Sequence, residues 1–548
     1  WLVKFDLLGL GMLSALSISF DLISQHCGRF WTLASIPRNE PGVYDMLCRG
    51  DSIGVFQVES RAQIGALPRL KPRCFYDLAV EIGLIRPGPV QGGAVHPYIR
   101  RRTGVEPVTY PHPLLEPVLE RTLGIPLFQE QLMQMATTVG NCTAADADLL
   151  RRAMGSKRGV ERIDSLRTKL FEGMAANGID DDTAQGIYAR IESFANFGFA
   201  ESHALSFAGL VYTSAWIKLH YPAVFLAALL RSQPMGFYSS ATLVADARRH
   251  GVVTRRPDVA RSSVGADLEL LDACCEELGS EELETGIDEC LHDHDESEIG
   301  AFDPNRDDGD HRRDTHFAVR LGLSDVSGIN IETATRIVEE RERESFASLD
   351  DLARRVDLSG EEVEALALAG AFDDLVGSRR GALWQIGQIN GVAPGQLDVQ
   401  VVTQPPLLPE PTQMELLGDD LRATGISTAD HPVRQVRDAL NRRGVVQVDR
   451  LDGVEARRRI EVAGVVTHRQ RPGTAGGVTF LNLEDETGLL NVIVTPGAWR
   501  HYRRVARTSR ALVVRGILER GDEGVMSLQA DRLEALDLSV PTKSRDFR

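Results

Sequence analysis

The spacing of apolar residues changes period along the chain, and each change marks a part of it. Between residues 12 and 230 apolar positions recur every three or four residues. This predicts helices over about 12–23, 127–135, 144–154, 181–194 and 204–230. Lys218, His220 and Pro222 interrupt the last run, which therefore fits a core helix pair better than a membrane span. From Arg459 to Leu538 the period becomes two. Segments 460–466, 479–483, 490–494, 511–517 and 525–529 read as five short strands between Gly-containing turns, the pattern of a small OB-type barrel. A short strand opens the chain at Trp1, and a turn follows at Gly9-Leu-Gly11. The fold expected is multidomain α+β: a mainly α-helical part, a helix-hairpin-helix module and a C-terminal OB-type β-barrel.

Length and composition narrow the picture. A chain of 548 residues is long enough for several domains, and 43% apolar residues is ordinary for globular proteins. No run nears the ~20 apolar residues of a membrane helix. Seven Cys without framework spacing suit a reducing, cytoplasmic setting. The first residue is Trp, so the numbering is expected to start inside a longer protein. The net charge of −17 argues at first against a nucleic-acid partner. However, residues 267–310 hold 18 Asp or Glu against one basic residue, Arg306, which accounts for the whole imbalance. The remainder is neutral and carries basic clusters such as Arg100-Arg101-Arg102, Arg151-Arg152 and Arg503-Arg504. Local patches of this kind are what nucleic acid requires, although each pair could equally be a solvated helix face. Residues 262–315, acidic and poor in aromatics, are expected to form a flexible, mostly disordered insert. Cys274, Cys275, Cys290 and the nearby His292, His294 and His311 do not have zinc-finger spacing.

Several motifs could carry chemistry. On a strand, Lys4 and Asp6 share one face, an ammonium beside a carboxylate. That pair suits a metal-bound triphosphate, and it also suits a solvated strand edge. Ser324-Asp-Val-Ser-Gly-Ile-Asn330 ahead of a helical run has the form of a helix-hairpin-helix, whose backbone N–H groups at Gly328, Ile329 and Asn330 would hold a phosphate. Asn330 stands where a second Gly is usual, and it is expected there because Asn tolerates positive φ. Arg151, Arg152, Lys157 and Arg158 put four cations around a helix C-terminus closed by Gly155, as a phosphate clamp or as partners of the helix dipole. The segments 54–61, 84–89, 128–131 and 197–203 each combine a turn with polar groups. Gln413-Met-Glu-Leu-Leu417 superficially fits a sliding-clamp peptide, but reads better as the start of an amphipathic helix.

In this order, the segments resemble the bacterial C-family DNA polymerases, the DNA polymerase III alpha subunits. The resemblance rests on Lys4-Phe-Asp-Leu-Leu-Gly-Leu10, Gly54-Val-Phe-Gln-Val-Glu-Ser60, Arg86-Pro-Gly-Pro89, Gln129-Glu-Gln131, Leu150-Arg-Arg-Ala-Met-Gly155, Ser202-His203 and Lys218-Leu-His-Tyr-Pro222. Gln91-Gly-Gly-Ala-Val-His-Pro97, Phe480-Leu-Asn-Leu-Glu-Asp-Glu-Thr-Gly488 and Ser544-Arg-Asp-Phe-Arg548 look closest to its error-prone, damage-inducible branch.

The resemblance implies a palm edge at 1–45, fingers at 46–261, the acidic insert at 262–315, a helix-hairpin-helix module at 316–385, a linker and helical region at 386–455 and an OB domain at 456–540. It implies that Asp6 is a catalytic carboxylate binding Mg²⁺ in a two-metal site completed by residues upstream of Trp1. Lys4, Arg151 and Arg152 would contact the dNTP triphosphate. Arg86, Ser202 and His203 would line the nascent base pair, and Lys157, Arg158, Gly328, Ile329 and Asn330 would contact DNA phosphate. The implied activity is addition of dNTPs to a primer 3′-hydroxyl in translesion synthesis. Primer-template DNA, dNTPs, single-stranded DNA at the OB domain, and translesion accessory proteins or a sliding clamp would be its partners, with no membrane. The alternatives are a non-catalytic DNA tether and a replicative alpha subunit.

Overall fold

Apolar periodicity of three and four folds as helix, and its interruptions fall at glycine, proline or capping side chains. The computed structural model describes residues 9–86, 95–154, 159–193, 199–271, 293–303, 308–389, 408–472, 475–521, 526–538, 540 and 545–547. The expected helices are Leu10–Cys27, Gln129–Gly140, Ala144–Ala153, Asp181–Ser193, and the pair Glu201–His220 and Pro222–Arg231. Pro222 sits at the first helical position of the second of these, where its missing N–H costs nothing. No described helix is long and apolar enough to cross a membrane.

The chain divides into two units. One comprises Leu33–Leu219 and Ile287–His311. It is built from helices including Pro41–Cys48, Phe75–Leu84, Val95–Arg102 and Arg167–Ala176. Leu115, Leu132, Met135, Val139, Leu150 and Leu170 are central to its core. Gln129–Gly140 and Arg167–Ala176 meet at glycines: a Cβ on Gly173 would lie 2.1 Å from the Gly140 carbonyl oxygen. At this crossing the absence of side chains lets the two backbones touch.

The other unit comprises Trp1–Thr32, His220–Gly286 and Arg312–Arg548. It holds a small sheet of β1 (Thr254–Arg255), β2 (Asp267–Leu270) and β3 (Phe317–Arg320), with β3 central, parallel to β1 and antiparallel to β2. The expected acidic insert thus begins inside this sheet. Glu269 of β2 accepts from Arg320 and, at 2.6 Å, from Arg255. At the far end, Asp314 is buried and accepts from the backbone N–H groups of Ala223 and Val224 at 2.6 and 3.1 Å. It caps Pro222–Arg231, where a carboxylate meets unsatisfied N–H groups and the positive end of the helix dipole. Charge density suggested disorder up to these edges, but Arg255 and Arg320 from outside the stretch neutralise Glu269, and Asp314 is held by Arg312 beside it and by the N–H groups of a helix distant in sequence. Residues 272–292 and 304–307 lie outside the described residues.

The hairpin module follows, with Ile331–Arg343, Leu349–Val356 and Gly360–Leu368 around Leu323, Ile329, Ala334, Ile337, Leu352 and Leu366. Gln413–Ala423 is the helix expected there, opened by a reciprocal capping pair of Thr412 and Glu415. The five expected strands are β4 (Arg459–Gln470), β5 (Thr479–Glu484), β6 (Leu489–Val494), β7 (Ala511–Arg520) and β8 (Met526–Ala535), joined by a short β9 (Arg545–Phe547). β4 pairs with both β5 and β7, and β6 runs parallel to β8, which closes a five-stranded barrel. Gly464 and Gly516 allow the bending: a Cβ there would lie 2.8 Å and 2.3 Å from facing carbonyl oxygens.

Candidate functional site

Four short segments that look unremarkable singly meet in the helical unit. Gln129 N–H donates to the Phe199 carbonyl at 2.9 Å, and Glu201 N–H donates to the Glu130 carboxylate at 2.8 Å. This ties the start of Glu201–His220 to the start of Gln129–Gly140. The Arg86 guanidinium lies 3.5 Å from the centroid of Phe199, and its Nε donates to the Ile82 carbonyl at 3.0 Å. His203 stands edge-on to Phe199 at 5.3 Å and packs on Phe207 at 4.1 Å; Phe207 in turn meets Phe56 at 5.0 Å. Arg86, Phe199, His203, Phe207 and Phe56 therefore form one continuous run of cation and rings. Phe199 and Phe207 are buried whereas His203 is exposed, so the run has an apolar floor and a polar rim. The buried rings hold the exposed His203 imidazole and the half-buried Arg86 at the surface, where the imidazole can stack on a base and the guanidinium can present charge to a phosphate.

Of the three residues expected at the base pair, Arg86 and His203 share this run. Ser202 is exposed on the same helix turn, and its carbonyl accepts from the Ser206 hydroxyl at 3.0 Å. Sequence reading missed the supports. Tyr76 hydroxyl donates to Glu201 at 2.7 Å, and Arg121 lies 3.7 Å above the Tyr76 ring while bonding the same Glu201. Burial, then the Glu201 carboxylate, push the Tyr76 phenol well above its usual range and keep it a donor. Nothing local in the sequence marks Tyr76 or Arg121, because their partner is distant along the chain.

Arg151 and Arg152 end the helix Ala144–Ala153, exposed, and both engage one carboxylate. Arg151 donates to Asp148 Oδ1 at 3.0 and 2.8 Å, and Arg152 bonds Oδ2. The bond from Arg151, then that from Arg152, lower the Asp148 carboxyl below its ordinary value. Two guanidinium groups on one carboxylate keep a net positive charge. Asp148, three and four residues before the pair, was the readable signal for this arrangement. No described bond links Arg151 or Arg152 to Arg86 or His203. Lys4, Asp6, Lys157 and Arg158 lie outside the described residues, as do 87–94 and 194–198.

At the hairpin, the positive φ belongs to Gly328 (97°), and Ile329 is buried. Asn330 is not in the positive-φ region: its φ is −86°, and its side-chain oxygen accepts from Thr333 N–H at 2.7 Å as the N-cap of Ile331–Arg343. The expectation of a left-handed Asn330 is corrected on that point, because capping requires extended backbone and an Asn side chain caps well. Ser327 N–H is spent on the Ala423 carbonyl at 2.7 Å and Ile329 N–H on Val326 at 3.0 Å. Among the described residues, the N–H groups of Gly328, Asn330, Ile331 and Glu332 have no protein acceptor. They are free for an anion.

Comparison with known proteins adds the following. Residues 12–178 match the family of the bacterial DNA polymerase III alpha subunit finger domain. Residues 251–382 match a helix-hairpin-helix motif, and residues 460–536 an OB-fold nucleic acid binding domain. The whole chain is similar to proteins named error-prone DNA polymerase. It is 51% identical to that of Mycolicibacterium paratuberculosis, 50% identical to that of Mycobacterium tuberculosis and 48% identical to that of Corynebacterium glutamicum. It covers 46%, 46% and 47% of them, so the chain spans about half the length of the curated relatives it matches.

Proposed function

Because this chain belongs to the bacterial DNA polymerase III alpha subunit family, we propose that it forms part of an error-prone DNA-directed DNA polymerase. The reaction is addition of a deoxynucleotide to a primer 3′-hydroxyl, serving synthesis across damaged template. The observation that carries this reading is identity of about one half along the entire chain to proteins of that name.

The residues divide the work. Lys4, Arg151 and Arg152 hold the triphosphate of a dNTP, and the charge the Arg pair keeps beyond Asp148 supports that role. Arg86, Ser202 and His203 border the nascent base pair, supported by the ring-and-cation run. The free N–H groups of the hairpin hold a DNA phosphate without reading sequence, with Lys157 and Arg158 contributing charge. Asp6 would supply oxygen to a divalent cation, Mg²⁺ by its preference for carboxylate oxygen. Such a cation would offer charge neutralisation at the transferred phosphate. The chain's own residues bind, orient and exclude wrong geometries. Primer-template, dNTPs, a single strand at the barrel and translesion accessory proteins or a sliding clamp are the partners that go with this activity.

Primer extension tests the reading. The full-length polymerase carrying this chain should extend a primer past a template lesion with Mg²⁺ and dNTPs, and Asp6→Ala should abolish extension. Undiminished extension by Asp6→Ala removes Asp6 from catalysis. The helix-hairpin-helix and OB-fold matches also support a second reading, a DNA tether. It gains if the full-length protein binds primed DNA and extends nothing.

A further inference from the structure

β6 and β7 are joined by two short helices, Pro496–His501 and Arg503–Thr508. Ala498, Trp499, Tyr502, Val505 and Ala506 face the barrel core, at the spacing of a helical apolar stripe. The other face carries Arg500, His501, Arg503, Arg504 and Arg507, all exposed, and exposed Arg510 follows. The row is anchored from inside: buried Arg469 of β4 donates Nε to the Ala506 carbonyl at 2.9 Å and bonds the Ser509 carbonyl. A guanidinium at a helix C-terminus satisfies carbonyls that otherwise lack donors.

Elsewhere around the barrel several arginines meet carboxylates: Arg459 of β4 and Arg515 of β7 each reach Asp531 at 2.8 Å, and Arg443, which ends the preceding helix Arg437–Arg443, pairs with Glu461 at 2.7 Å and Glu534 at 2.9 Å. Among the described residues, Arg500, Arg503, Arg504, Arg507 and Arg510 have no carboxylate partner, and Arg500 bonds only the Pro496 carbonyl of its own turn. Exposed Arg471 lies 5.4 Å from the Trp499 ring at the edge of the row. Five unneutralised guanidinium groups within eleven residues repel one another, in a chain whose net charge is −17. A strongly anionic ligand removes that cost.

We infer that these helices form a phosphate-backbone surface for DNA, distinct from the strand face and loops through which OB barrels ordinarily take a single strand. The inference rests on the reading of this chain as part of a DNA polymerase. It names a surface which that reading does not. The surface carries no base-reading geometry, only charge at three- and four-residue intervals, so its contribution is independent of sequence and dependent on salt.

Anisotropy of a labelled oligonucleotide, single-stranded and as a duplex, is measured with the 548-residue chain over a salt series. Four changes, Arg500→Gln, Arg503→Gln, Arg504→Gln and Arg507→Gln, are combined in one variant, with Lys at the same four positions in a second. The slope of log K against log salt should become shallower by about 3 on a single strand and about 4 on a duplex for the Gln variant, and stay unchanged for the Lys variant. Thermal melting confirms that each is folded. Wild-type slope in a folded Gln variant overturns the surface alone and redirects the row to an acidic protein partner. Absence of salt-sensitive DNA binding by the unaltered chain overturns both the surface and the polymerase reading.

Discussion

Glu81 is fully buried in the helix Phe75–Leu84, and among the described residues neither of its carboxylate oxygens has a hydrogen-bond partner. Burial alone pushes its carboxyl well above the usual range. Folding therefore desolvates an acid and returns no bond, a cost of about 1–3 kcal/mol. Glu81→Met keeps the volume and removes the polar atoms, so it should stabilise the chain at neutral pH by about that amount. Chemical denaturation of the variant checks this; a loss of stability would mean that Glu81 is bonded in solution. Asn330 makes the complementary point. Its identity was legible as a turn residue, but whether it supplied a left-handed backbone or a cap depended on Thr333 N–H lying within reach.

At the scale of elements, packing decides what a glycine means. Gly173 and Gly186 both lie in helices and look alike in sequence, each weakening its helix relative to Ala. A Cβ on Gly173 would strike the backbone of Gly140, whereas a Cβ on Gly186 meets nothing within 4 Å. Gly186→Ala should gain up to about 1 kcal/mol of stability. Gly173→Ala should lose about 1–3 kcal/mol, because the two helices must separate. Unfolding curves that shift the same way for both would sink the argument. The expected helices and barrel strands were readable because each buries a face that recurs at its own period. β1, β2 and β3 were not, since Thr254–Arg255 is too short for a period and β2 sits in a run dominated by charge.

For the whole molecule, buried carboxyls oppose one another in pH dependence. Burial raises Glu484 from 4.5 to about 7, against Arg249 and the Thr242 hydroxyl, and raises Asp325 from 3.8 to about 6. Both are higher when folded than unfolded, so their stability is full in acid and is lost as pH rises to about 6 for Asp325 and about 7 for Glu484. For Glu484 that loss is on the order of 3 kcal/mol. Asp267 behaves oppositely. Burial works against its charge, but His26, Ser263 and Arg231 hold it at about 2, so its contribution is present above 3.8 and lost as pH falls through about 2. The melting temperature should peak on the acid side of neutrality and fall toward about pH 8. Glu484→Gln should flatten that fall. A flat profile from about pH 5 to 8, or an equal fall in the variant, would contradict this assignment.

Sequence by itself determined which stretches are helical and which are barrel strands, where turns and caps fall, and which residue types could meet phosphate. Those properties follow from period, side-chain shape and backbone freedom, which act over a few residues. Tertiary structure alone decided that Arg86, Phe199, His203, Phe207 and Phe56 share one surface, and that Tyr76 and Arg121 brace it through Glu201. It also decided that Arg459 and Arg515 of the barrel strands share Asp531 while, among the described residues, the arginines of the joining helices meet no carboxylate. These outcomes depend on contacts between residues tens to more than a hundred positions apart. Short-range pattern carries no information about a partner brought close only by the packing of whole elements.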